Sequence, residues 1–207
     1  MRHILTYLLF CLACSFGMAQ GSYKAEEFKS ALMQTKEGAM VVYTGDKHSF
    51  TININGKVTP SDQPNFVTVN GNILQSSIIP FQTQIDFENL SIETQKKNLQ
   101  AYMDYELKYI KEQLQADDLH EKSEFITLGG KTFLYWSYDI PKSNKSIDKQ
   151  CYLVAICFDH MLVLNAPVIK GTKYQKIKDL LTDVGETLKL NNSTIDLEQL
   201  YNQLNGK

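Results

Sequence analysis

Arginine is almost missing from this 207-residue chain: Arg2 stands alone against 20 lysines. A guanidinium grips carboxylates and phosphates through two parallel hydrogen bonds, whereas an ammonium is a point charge. Its scarcity counts against a site built on anion clamps, although AT-rich coding, which replaces Arg by Lys, is the simpler cause. Cysteine is sparse at four, too few for the disulfide lattice that holds small secreted domains together. No apolar run reaches the roughly 20 residues that a membrane-spanning helix needs. The patterns G-x-S-x-G, H-E-x-x-H and the P-loop are absent, and so, past residue 19, is C-x-x-C. These absences argue against familiar serine hydrolases, zinc proteases, NTPases and dithiol redox proteins.

What is present begins with an address. In "MRHILTYLLFCLACSFGMAQG", Arg2 supplies a positive start and Ile4 to Cys14 a short apolar core. Gly17 and Ala19 are the small residues a signal peptidase inspects. Residues 1–19 therefore read as a signal peptide cut between Ala19 and Gln20. A second reading takes "CLAC" as a lipobox, with Cys14 as a lipid-anchored first residue. Once 1–19 are removed, 20 lysines face 23 Asp and Glu, a formal charge of 20 − 23 = −3. That balance gives no pull toward nucleic acid or anionic lipid.

Residues 20–207 read as one exported domain. From Ser22 to about Glu37 a helix is predicted, with Phe28, Ala31 and Leu32 inward. Strands follow, broken by the turn dipeptides Gly45-Asp46, Asn55-Gly56 and Asn70-Gly71. From Ser91 to about Leu119, Leu99, Met103, Leu107, Ile110 and Leu114 recur at helical spacing. Two strands then flank Gly129-Gly130. Another helix carries Tyr174, Ile177, Leu181, Val184 and Leu188 behind a capping box formed by Thr172 and Gln175. A last short helix from Ser193 carries Leu197, Leu200, Tyr201 and Leu204.

Between these elements lies "KQCYLVAICFDHMLVLNA", which places Cys151, Cys157, Asp159 and His160 in an apolar run. One face of its first strand would show Cys151, Leu153, Ala155 and Cys157, and the other Tyr152, Val154, Ile156 and Phe158. A strand apolar on both sides must be covered on both sides. Asp159-His160 fits a two-residue turn between two such strands. Cys151 and Cys157, six positions apart at about 3.3 Å each, are then too distant for a disulfide, whose Cα atoms lie about 4.4–6.8 Å apart. They are expected to be buried packing residues.

The element order, with "ITLGGKTFLYWSYDI" and the closing "GETLKLNN", resembles the PsbP-like fold family over roughly residues 47–190. That family includes the extrinsic photosystem II subunit, a nuclear-transport factor that binds the GTPase Ran, and DcrB-like envelope proteins. The resemblance implies an α+β fold, with an antiparallel β-sheet flanked by helices on both faces. It also implies a member that binds proteins rather than catalyses. The N-terminal helix and the tail after Leu190 are departures, and no residue role carries over.

Several residues are candidate sites. Cys157, Asp159 and His160 are the ingredients of a nucleophile with its base and orienter, although flanking one tight turn is a poor way to converge. Asp117, His120 and Glu121 have helical spacing for a shared cation, against the simpler reading of a solvated helix end. Phe133, Tyr135 and Trp136 would make an aromatic platform if their strand were uncovered. Lys142, Lys145 and Lys149 mark a basic loop. His48 and His120 read as surface residues. The expectation is an exported, non-catalytic module that engages another protein, with no cofactor. A small hydrolase with an unrecognised carboxylate site, or a carrier of an apolar ligand, are the alternatives.

Overall fold

A computed structural model describes residues 23–206 except positions 85 and 88. The expected signal segment, its cut at Ala19 and Gln20, and Cys14 lie outside the described residues.

Alternating and β-branched runs form β1 (Lys29–Gln34), β2 (Gly38–Thr44), β3 (Ser49–Asn55), β4 (Val58–Pro60), β5 (Phe66–Val69) and β6 (Asn72–Pro80). Next come α1 (Ile92–Leu114), β7 (Lys122–Leu128), β8 (Lys131–Asp139), β9 (Ile147–Cys157) and β10 (His160–Ile169). The chain ends with α2 (Tyr174–Glu186), β11 (Lys189–Asn191) and α3 (Leu197–Leu204). All strand pairs are antiparallel, in one sheet of order β1-β2-β3-β11 and another of order β4-β5-β6-β10-β9-β8-β7.

The seven-stranded sheet separates two cores. On one face Leu99, Met103 and Leu107 of α1 meet Leu134, Trp136, Val154 and Val163. On the other, Ile177, Leu181 and Val184 of α2 join Phe133, Leu153, Ala155, Leu162 and Leu164. The four-stranded sheet shares that second core through Val41, Phe50 and Ile52. The α+β class and the helix-covered central sheet therefore stand, with a second sheet added. Each large side chain buried there contributes about 1.5–3 kcal/mol, which is why the runs of β9 and β10 are apolar on both faces. Gly185 lets α2 settle onto β9, since a Cβ there would sit 2.6 Å from Leu153 Cδ2. No described helix is long and apolar enough to cross a membrane.

Local expectations shift in five places. No N-terminal helix forms: residues 23–28 run without regular structure, and Lys29–Gln34 pair with β2 from Lys29↔Thr44 to Gln34↔Ala39. The spacing of Phe28, Ala31 and Leu32 was too short to separate helix from strand. The turn between β9 and β10 is Phe158-Asp159, because His160 already pairs with Cys157. Helix α1 stops at Leu114, with Gln115 in the left-handed region at φ 50°, so Asp117, His120 and Glu121 lie beyond it and lose their helical spacing. The capping box at α2 does not form, as Lys173 takes the N-cap without a side-chain bond. Helix α3 starts later than Ser193, capped by Asp196, which accepts from the Glu198 and Gln199 amides.

Candidate functional site

At the β9–β10 turn, ionisable side chains from distant elements converge on two carboxylates. The segment 23–28 crosses it as a strap. Asp159 Oδ2 accepts the Tyr23 hydroxyl at 2.8 Å and the Glu26 amide at 2.7 Å, while Oδ1 meets His160 Nδ1 at 2.7 Å. Glu26 then reaches the β2–β3 loop. Its Oε1 accepts the amides of Lys47 at 2.6 Å and His48 at 3.0 Å, and its Oε2 meets His48 Nδ1 at 2.6 Å. Gly45 makes room for that carboxylate, because a Cβ there would fall 2.3 Å from Glu26 Oε1.

An ionised carboxylate only accepts, so each Nδ1 is the donor. Burial pushes the Asp159 carboxyl up, but donors from Glu26, His160 and Tyr23 outweigh it and leave the group below its ordinary 3.8. Glu26 behaves alike: burial is overcome by Lys47 and both donors of His48, which leaves it below 4.5. Tyr23 moves the other way, to about 12, through burial and then the Asp159 carboxylate.

Aromatic rings close the cluster. Phe158 stacks on His48 with centroids 4.2 Å apart, and Phe87 meets both rings edge-on. Phe28 stands edge-on to His160 at 5.0 Å and to Phe50 at 5.3 Å. Phe158 holds φ 58°, a left-handed conformation that costs a bulky residue about 1–2 kcal/mol. The imidazole stack and the burial of its ring hold it there.

His48, expected at the surface, is thus a core member of the strap contact. Its partner Glu26 carried no local signal, since the two lie on different elements 22 positions apart. Asp159 and His160 were visible in the sequence, but as a broken apolar run rather than as a clasp.

The thiol–imidazole candidate does not assemble. Cys157 and His160 are cross-strand partners, yet both sulfurs, Cys151 and Cys157, are fully buried and unpaired. Burial raises both thiols, so neither supplies the thiolate that nucleophilic chemistry requires. Phe133, Tyr135 and Trp136 are likewise buried at 0–2% exposure, and Trp136 stacks on Tyr152 at 4.1 Å. They are core, not platform. His120 Nδ1 pairs with Asp118 at 3.0 Å and Glu121 with Lys111 at 2.9 Å. Among the described residues no three His, Cys, Asp or Glu side chains gather for a metal ion. At Glu106 burial meets no offsetting donor and leaves the carboxyl above its ordinary 4.5.

Two hollows lie near these features. An open groove of about 490 Å³ runs between the strap and Ile78, Pro80, Phe81 and Gln82, with His160 in its lining. A cleft of about 190 Å³ separates the two sheets where β1 and β2 face β5 and β6.

No protein-family model matches the chain. No curated protein matches it either. Among solved structures, the chain is similar to the solution structure of cyanobacterial PsbP (CyanoP) from Synechocystis sp. PCC 6803. The match has 12% identity and a TM-score of 0.42, over 84% of this chain and 98% of that one. It is a likeness of fold alone.

Proposed function

We propose that this protein is an exported, non-catalytic module that binds another envelope or secreted protein. The observation that carries the reading is the saturation of the Glu26–His48 and Asp159–His160 cluster. All four carboxylate oxygens are occupied by the chain's own donors, so the cluster is spent on holding the strap. A hydrolase working through a pair of carboxyls sets their pKa values apart, one acid and one base. Here both cluster carboxyls are driven down, and Glu106 is raised without a second carboxyl moved with it. The inter-sheet cleft is smaller than the ~300–1,000 Å³ of a typical ligand site, and the groove of about 490 Å³ is open and bordered by Lys24, Glu26 and Glu27, which disfavours a lipid carrier.

The test is crosslinking in the native envelope, followed by purification of the tagged chain, with stoichiometry measured. The same chain is assayed on ester, amide, glycoside and phosphoester probes. The reading expects one protein near equimolar and no turnover. Turnover that disappears in Asp159→Asn, or the absence of any retained protein, would overturn it.

A further inference from the structure

Each open sheet ends in two strands whose outer backbone groups can pair with another chain, and native proteins guard such edges. Three of the four edges here are guarded. β4 and β11 are three residues long, and β4 ends in Pro60. β7 is longer but carries Lys122 and Glu124, and both flanking helices reach it. Lys178 of α2 pairs with Glu124, and Lys96 of α1 lies over the Phe125 ring at 5.5 Å. β1 differs. It opens on Lys29, but from Ser30 to Gln34 it has no charge and no proline, its register with β2 is unbroken, and among the described residues no strand pairs with its other side.

The C-terminal segment does not close that side. Ser49 Oγ donates to the Ser193 carbonyl, Thr44 Oγ1 exchanges bonds with Ile195, and α3 rests against β1. Thr44 pairs with Ser49 across the strands and shares their face with Met33, which is buried. Residues 193–195 therefore cover a face of the sheet, and among the described residues no backbone bond occupies the outer side of β1.

The opposite face of β1 borders the inter-sheet cleft. Ser30 and Leu32 form one lip and Phe66 and Val67 the other, above the Tyr43–Ser76 hydroxyl pair at 2.7 Å. Its volume of about 190 Å³ is slightly more than the ~150 Å³ cavity that accepts a benzene ring. It is sized for one large apolar side chain. An open edge beside a single-residue pocket is the arrangement by which a sheet takes up an added strand, with main-chain bonds along the edge and one side chain read by the pocket.

We propose that β1 takes an extended segment of a partner protein as a fifth strand, with one aromatic or branched aliphatic residue of that segment seated in the cleft. This deepens the binding-module reading and rests on it. The probes are capped octapeptides of alternating threonine and valine, with one central residue set to phenylalanine, alanine or lysine, measured by fluorescence polarisation.

The phenylalanine peptide is expected to bind about tenfold to a hundredfold tighter than the alanine peptide, and the lysine peptide not at all. Leu32→Lys, at a residue 37% exposed, places a charge at the cleft mouth and should abolish binding without moving the melting temperature. Failure of every peptide to bind up to about 1 mM overturns the proposal. So does a native chain that sediments as a dimer and becomes a monomer in Leu32→Lys, since the occupant is then a second copy. If Leu32→Lys still retains the native partner from the envelope, the edge fails and the module reading stands. If the unmodified chain retains none, the module reading itself fails.

Discussion

Asp159→Asn isolates the clasp that holds the strap. The substitution keeps the size of the side chain and removes its charge. In the native protein three donors converge on the carboxylate, from Tyr23, Glu26 and His160, at 2.7–2.8 Å. Asparagine can still accept from Tyr23 and Glu26 through its oxygen, and its amide can face His160 Nδ1 if that nitrogen gives up its proton. The count of hydrogen bonds survives, but the charge assistance does not. Bonds to a charged group contribute about 1.5–3 kcal/mol against about 0.5–1.5 for neutral ones, so three weakened bonds cost about 3 kcal/mol. The strap can detach before the cores open, which caps the loss at its docking energy and brings the expectation to about 2–3 kcal/mol. For a chain of this size each kcal/mol moves the melting temperature by about 2–4 °C, giving a drop of about 4–12 °C. Calorimetry reads the drop, and amide exchange at Glu26 reads the local release. A melting temperature within about 1 °C of native, with Glu26 as protected as before, refutes the clasp.

Three further outcomes follow from the same geometry. Glu26 and Asp159 titrate lower in the folded chain than their ordinary 4.5 and 3.8, so the unfolded chain takes up protons first as pH falls. Their contribution is complete above those ordinary values and is lost as pH drops through the lower folded ones. Chemical denaturation at stepped pH should show that loss, and show less of it in Asp159→Asn. With Cys151 and Cys157 fully buried, iodoacetamide should label the native chain far more slowly than the unfolded chain, and mass spectrometry that finds rapid native labelling of Cys157 would contradict its burial. At Phe158, φ 58° reverses the usual order of small residues. Both Phe158→Ala and Phe158→Gly lose a buried ring, a cost of about 3–5 kcal/mol, but glycine also relieves about 1 kcal/mol of backbone strain, so the glycine variant should melt higher.

Much of the scaffold was legible because one chemical rule decided each part. The stripe of Leu99, Met103 and Leu107 can face a core only from a helix, and it does. The two apolar faces of β9 required cover on both sides, and α1 and α2 supply it. The two thiols were read as packing on the same ground and are buried, and the same cover buries Trp136, which the sequence also offers as part of a platform. The resemblance to PsbP-like proteins rested on the order of such elements over roughly residues 47–190.

What stayed hidden depends on which partner a residue finds. Asn55-Gly56 and Asn70-Gly71 carry the same dipeptide. The second makes a hairpin with both residues at positive φ, 48° and 82°, between paired strands β5 and β6. The first has Gly56 at φ 109° and links β3 to β4, which belong to different sheets. The dipeptide encodes a permitted backbone angle, and the sheet that receives the next strand is decided by packing far away. The strap follows the same logic. Phe28 and Leu32 hold helical spacing, but Phe28 reaches Phe50 and His160 while Leu32 borders the cleft. Asp159 lies 133 positions from the Glu26 amide it accepts, and that bond draws residues 23–28 across the turn as an extended strap. A helix over the same residues would fold the Glu26 amide into its own first turns and forfeit both carboxylate clasps, so the long-range contacts outweigh the local period.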